Sequence, residues 1–183
     1  MEKFITSETY DAYLEMCLGV MALRIPDVQA ILIKNYPTAS IESSYTNPNQ
    51  HINLNVTSII GEIESQGLLS PKNLRSSFSE INKIFVVSAW ETLKETKTYN
   101  AIAKEPDIQF LRHVRNGCAH NKFNFTELKY PAKWRDKEIT MGLVDKAVFP
   151  NFMKDGDPIL LLIDINNKYY DTINIPGYVP HVI

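Results

Sequence analysis

At 183 residues, the chain is long enough for one domain with a core of its own. Hydrophobic residues make up 44% and charged residues 22%, which excludes a wholly disordered chain. The longest apolar run, Ile159 to Ile163, is too short to cross a bilayer, and a net charge of −2 excludes a protein that coats nucleic acid over its whole surface.

The first residues carry Glu2, Glu8 and Asp11 and lack a basic-then-apolar leader, so the expectation is a cytoplasmic protein with no membrane partner. Its two cysteines, Cys17 and Cys118, read as free thiols in a reducing compartment. Thr6 and Ser7 can cap a helix that carries Tyr10, Tyr13, Leu14, Cys17, Leu18 and Met21 on one side. Pro26 and Asp27 open a second helix, with Val28, Ile31 and Leu32 behind them. The stretch NYPTASIESSYTNPNQ, residues 35–50, is polar, holds two prolines and predicts a long surface loop. A short helix from about Asn55 to Gln66 follows, stopped by Gly67.

Ser70 and Pro71 start the next helical pattern, in which Leu74, Phe78, Ile81, Phe85 and Trp90 keep a rough helical period to about Lys97. It is one long helix or two in succession. Glu105-Pro106-Asp107 then opens a helix with acid where its N-terminus favours acid. Beyond Asn124 the pattern changes. Pro131 and Trp134 mark an irregular stretch, and PILLLIDI, NNK and YYDTINI (Pro158 to Ile175) read as two strands around a turn. The expected architecture is mainly α: one domain, with a helical body over about 1–125 and a C-terminal extension over about 126–183 that holds a β-hairpin.

The charge is unevenly spread. Residues 1–111 balance at −4, residues 112–137 at +5 and residues 138–183 at −3. The one positive segment begins at RNGCAH, Arg115 to His120, and a local basic patch can steer a polyanion to an acidic protein. With Arg115 at 0° on a helical wheel, Ala119 falls at about 40°, Arg112 at about 60°, Asn116 at about 100° and His120 at about 140°. Phe110, Leu111, Val114 and Cys118 fall on the opposite side and belong to the core. Ile108 falls near 20°, among the polar residues, where it could serve a subunit contact. Gly117, after Asn116, is a candidate helix stop.

Arg115-Asn116-Gly117-Cys118-Ala119-His120 resembles the signature of HEPN domains, in which an arginine and a polar residue precede a histidine by a few positions. FVVSAWETL (Phe85 to Leu93) resembles the core helix that precedes the motif. YPAKWRDKEIT and DPILLLIDI resemble the tail of a bacterial branch associated with conflict and defence systems. The resemblance covers about residues 50–165. It implies a HEPN-like helical bundle that pairs as a homodimer, with two motif helices facing each other. It also implies metal-independent endoribonuclease activity in many members, and loss of chemistry in others that act as binding modules. A toxin subgroup has tyrosine two places after the histidine. Here that place is Lys122, so its tyrosine-linked regulation is not carried over.

The residue types suit that chemistry. RNA carries its own nucleophile, the 2′-hydroxyl. Imidazole titrates near neutral pH and can move protons, so His120 is the candidate general base or acid. A guanidinium stays charged and forks onto two phosphoryl oxygens, so Arg115 is the candidate stabiliser of the transition state. Asn116 can donate to a phosphate oxygen or orient the histidine, and Arg112 and Lys122 can grip neighbouring phosphates. No cofactor or metal is expected: His113, Cys118 and His120 lack zinc spacing, and no phosphate-cradling glycine loop is present. His113 is expected to be a solvated helix residue and Cys118 a core residue. Glu91, beside Trp90, is a candidate to hold the motif helix in place.

Three functions follow as expectations. The first is an endoribonuclease with a composite dimer site, in a toxin or phage-defence role, with an RNA substrate and an antitoxin or defence-system partner. The second is a non-catalytic HEPN module that binds RNA or a protein in a defence complex. The third is a structural helical protein whose hexamer is accidental.

Overall fold

A computed structural model of the chain describes residues 4, 7–42, 51–65, 67 and 70–170. The protein is mainly α-helical. Among the described residues it has the helices α1 (Ser7–Ala22), α2 (Pro26–Asn35), α3 (Val56–Ser65), α4 (Pro71–Glu95), α5 (Tyr99–Ile102), α6 (Pro106–Ala119) and α7 (Asp157–Tyr169). Two antiparallel strand pairs accompany them, β1 (Thr38–Glu42) with β2 (His51–Asn55) and β3 (Lys133–Trp134) with β4 (Lys137–Glu138). No single described helix is long and apolar enough to cross a membrane. The chain divides into two compact units, Glu15–Phe78 and Met1–Leu14 with Ser79–Ile183.

In the smaller unit, Pro26 occupies the first position of α2 behind an extended Ile25, where its missing N–H costs nothing. The expected loop over 35–50 is corrected in part: Thr38–Glu42 is a strand. Ala39 lies opposite Leu54 and Ser40 opposite Asn53, and the Ser40 hydroxyl meets Asn53 Oδ1 at 2.7 Å. The alternation of HINLN gives that strand a partner nearby in sequence, which outweighs the polar composition. Residues 43–50 lie outside the described residues. Asn55 Oδ1 accepts the Ser58 N–H at 2.9 Å, capping α3. Past its end, Gly67 takes a φ of 61°, the left-handed conformation glycine tolerates best. The apolar stripe read on α1 divides. Tyr10 and Tyr13 are buried, whereas Leu18 and Met21 are exposed at 61% and 51%.

The larger unit is built on α6 and on α4 from Ser79 onward. The pattern from Ser70 onward is one unbroken helix, and Ser70 Oγ accepts the Asn73 N–H at 3.3 Å in the manner of a cap. Phe85, Val86, Ala89, Trp90 and Leu93 are buried along its inner face. From α1, the Tyr13 ring stacks on Phe85, centroids 4.4 Å apart, and the Tyr13 hydroxyl donates to Asn82 Oδ1 at 2.8 Å. α6 is enclosed on several sides, with Ile108, Phe110, Leu111 and Val114 fully buried. Ile108 therefore belongs to the core of its own chain, which corrects its assignment to a subunit contact.

The expected C-terminal hairpin is corrected as well. PILLLIDI lies in helix α7, with Leu161, Leu162 and Ile165 buried and Asp164 half-buried. Pro158 sits in its first turn, and Asp157 Oδ2 accepts the Lys154 N–H at 2.8 Å. A continuous apolar run serves a buried helix as well as a buried strand, so its periodicity alone does not separate them. Residues 171–175 of the expected second strand lie outside the described residues. The hairpin in this third of the chain is the short β3–β4 pair, which packs on α6. The Trp134 ring lies 5.9 Å from that of Phe110, and Trp134 Nε1 donates to Asp164 Oδ2 at 2.8 Å.

Gly117 stays inside α6 and is buried. A Cβ there would come within 2.5 Å of Val148 Cγ2 and 3.2 Å of Phe123 Cδ1. Alanine gains about 1 kcal/mol in helix propensity over glycine, but overpacking a filled core costs about 1–3 kcal/mol, and a branched valine has little rotamer freedom to yield. Gly117→Ala is therefore expected to lower stability by about 1 kcal/mol net, read as a lower urea midpoint with an unchanged m-value.

Candidate functional site

Both ends of α6 are defined by local chemistry. At the start, Glu105 is extended, Pro106 follows, and Asp107 Oδ1 accepts the Ile108 N–H at 3.0 Å. At the far end, the His120 N–H returns to the Asn116 carbonyl at 3.1 Å, and Asn121 takes a φ of 61°. Asparagine is the residue other than glycine that most readily ends a helix this way. The stop is thus Asn121, and the candidate stop at Gly117 is corrected: glycine is used there for close packing. The regular helix carries Arg112, Arg115, Asn116 and Ala119, and His120 caps it.

The polar side of α6 is sharply limited. Arg112, Ala119 and His120 are exposed, Arg115 and Asn116 are half-buried, and Gly117 and Cys118 are buried. Arg115 Nη2 donates to Glu91 Oε1 at 2.6 Å, and Nη1 donates to Asn116 Oδ1 at 3.2 Å. Glu91 Oε2 is held in turn by Lys94 Nζ at 2.6 Å. The hydrogen bond from Lys94 is the largest cause holding the Glu91 carboxyl below its ordinary value; desolvation opposes it, and Arg115 adds a further lowering. Arg115 Nε is buried without a hydrogen-bond partner among the described residues. Glu91 of α4 therefore fixes the direction of the guanidinium, and Asn116 keeps its amide N–H groups for another acceptor. Arg115, Asn116 and Glu91 form one bonded set. His120 lies at the end of the same helix and makes no side-chain hydrogen bond with them.

Lys122 pairs with Asp145 at 2.6 Å in an exposed contact, which is worth little and is easily exchanged for another anion. Arg112 makes no ion pair among the described residues. Its neighbour His113 departs from expectation: it is buried, its ring meeting the Phe125 ring edge-on at 5.0 Å. Core packing claims this side chain because the segment after α6 turns back and covers it. Burial first, and the Arg112 charge second, push the His113 pKa down. Cys118 is buried, and desolvation raises its thiol to about 12, so it is not a thiolate nucleophile at neutral pH. No group of three or more His, Cys, Asp or Glu side chains among the described residues could hold a metal ion.

Beside the end of α6 lies an open cleft of about 430 Å³, lined by Lys83, Ile84, Val87 and Ser88 of α4 and by Cys118 and Asn121. Lys83 Nζ bridges Glu80 at 2.6 Å and Asn121 Oδ1 at 2.9 Å, tying α4 to the residue that ends the motif helix. Sequence reading did not single out Lys83. Its signal is its place two helical turns before Glu91 on α4, which puts it on the same face. No known family model, curated protein or solved structure matches the chain.

The buried, low-pKa His113 has a consequence for stability. Its folded pKa lies below the ordinary 6.5, so the unfolded chain takes up this proton first as pH falls. The stabilisation is complete above that ordinary value and is lost as pH drops through the lowered one. Thermal midpoints are expected to fall between about pH 7 and about pH 5, and His113→Leu is expected to flatten that slope. An unchanged slope in His113→Leu would refute the assignment.

Proposed function

We propose that this chain is a metal-independent endoribonuclease of the HEPN type, acting in a toxin or phage-defence role, with two copies contributing their motif helices to one site. The observation that carries the reading is the Arg115 guanidinium, half-buried and aimed by Glu91 and Asn116, on the same helix end as an exposed His120. An ordinary surface arginine has no such support from both sides. In this reading one copy of His120 accepts the proton of the 2′-hydroxyl as its oxygen attacks phosphorus. Arg115 and Asn116 hold the charge that gathers on the equatorial oxygens, and the P–O5′ bond breaks. The second copy of His120 protonates the departing 5′-oxygen. The products are a 2′,3′-cyclic phosphate and a 5′-hydroxyl. Arg112 and Lys122 hold flanking phosphates, and Glu91 acts as a positioning residue for Arg115. The partners of this reading are RNA, a second copy of the chain, and an antitoxin or a defence-system protein.

The test is incubation of the purified protein with single-stranded RNA in excess EDTA. Cleavage leaving cyclic phosphate ends is expected. His120→Ala is expected to lower kcat by about 100-fold or more, the usual size of a general acid–base contribution. Arg115→Lys is expected to lose a similar factor, because an ammonium cannot fork onto two oxygens. Cleavage unchanged in His120→Ala overturns the mechanism. Binding of RNA without cleavage favours the non-catalytic module instead.

A further inference from the structure

The segment after α6 runs back along that helix. Phe123 lies against Gly117, Phe125 against His113, and Tyr130 near Lys104, just before the helix begins. Three points of contact in reverse order place residues 123–130 antiparallel to α6. At the far end of this path two ammonium groups, Lys104 Nζ and Lys129 Nζ, each lie 5.7 Å from the centroid of the Tyr130 ring. Both lysines are exposed and Tyr130 is half-buried. Neither lysine has a carboxylate partner among the described residues. Asp107 is occupied by the Tyr169 hydroxyl at 2.8 Å and by Lys168, and the exposed Glu105 carboxylate lies 3.4 Å from that same hydroxyl and pairs with neither lysine. Lys104 stands two residues ahead of α6, and the helical stretch from Pro106 to Arg115 spans roughly 13 Å. Exposed Arg112 lies between them in sequence and also lacks an ion pair among the described residues.

We infer that Lys104, Tyr130 and Lys129 form a second subsite for single-stranded RNA, in which a base stacks on the Tyr130 ring and the two lysines take its flanking phosphates. The strand then reaches the Arg115 end of α6 past Arg112. The energetics favour exchange. An exposed cation–π contact is worth about 0.5–1 kcal/mol, whereas a base stacked on an aromatic side chain is worth about 1–3 kcal/mol. The lysines also gain phosphate partners when they leave the ring. The inference rests on the ribonuclease reading for the direction of the strand, but its binding chemistry does not depend on catalysis.

The experiment measures affinity of the full chain for a single-stranded RNA made uncleavable by 2′-O-methylation, alongside cleavage of a long RNA and of a dinucleotide. Tyr130→Ala is expected to weaken binding of the long strand about 5- to 100-fold, the range of one lost stack. Tyr130→Phe is expected to keep it. Lys104→Ala and Lys129→Ala are each expected to reduce the salt dependence of binding by about one phosphate contact. Dinucleotide cleavage should not change in any of these variants. Thermal melts check that each variant folds, and Tyr130→Phe with the lysine variants carries the test if Tyr130→Ala does not. Long-strand affinity unchanged in Tyr130→Ala, or salt dependence unchanged in both lysine variants, overturns the subsite and leaves the ribonuclease reading intact. Binding that is weakened in Tyr130→Ala, in a wild-type protein that does not cleave, supports the subsite and removes the ribonuclease reading. No RNA binding by the wild type overturns both.

Discussion

The ion pair between Glu91 and Arg115 joins the two helices on which the larger unit is built. A guanidinium on a mostly buried helix needs a partner or it costs more than it returns. Glu91 supplies that partner and, with Lys94 on its other oxygen, remains ionised at neutral pH. The pair fixes which way Arg115 points, and the Asn116 side chain completes the setting. Partial exposure keeps the energy of the contact modest. Its value is directional, since an arginine already oriented loses less entropy when it meets an anion.

Around that contact the helix is closed off from several directions. Residues 123–125 return against it, β3 packs on it and α7 lies alongside. What stays accessible is a narrow strip with Arg112, Arg115, Asn116, Ala119 and His120. Polar groups collect there because the large apolar side chains of α6 are used for packing. Ala119, with its small side chain, is exposed beside His120 in the chain.

Much of this arrangement was legible in residue pattern. Pro26, Ser70-Pro71 and Pro106 marked helix starts correctly, because proline at a first turn and a hydroxyl cap act locally. The apolar side of α6 was readable through Phe110, Leu111, Val114 and Cys118, and so was the candidate role of Glu91. What failed depended on contacts distant in sequence. The sequence around His113 suggests a solvated residue because nothing local says that Phe125 folds back over it. Gly117 resembles a stop because its real reason, the approach of Val148, lies far along the chain. PILLLIDI resembles a strand because a segment surrounded by protein shows no exposed side to set its period. Thr38–Glu42 resembles loop because a strand pair beside a polar stretch is specified by its partner more than by composition.

The close contact between Gly117 and Val148 has a further meaning for how the chain can be divided. Phe123, Trp134, Val148 and Phe149 are all buried, and they come from the part of the chain that follows the RNGCAH hexamer. A fragment ending soon after His120 would leave the apolar side of α6 facing water, with Phe110 stripped of Trp134 and Phe152. Such a fragment would keep Arg115, Asn116 and His120 and lose the packing that holds their helix. Shortened versions meant to isolate the motif must therefore retain the sequence through α7.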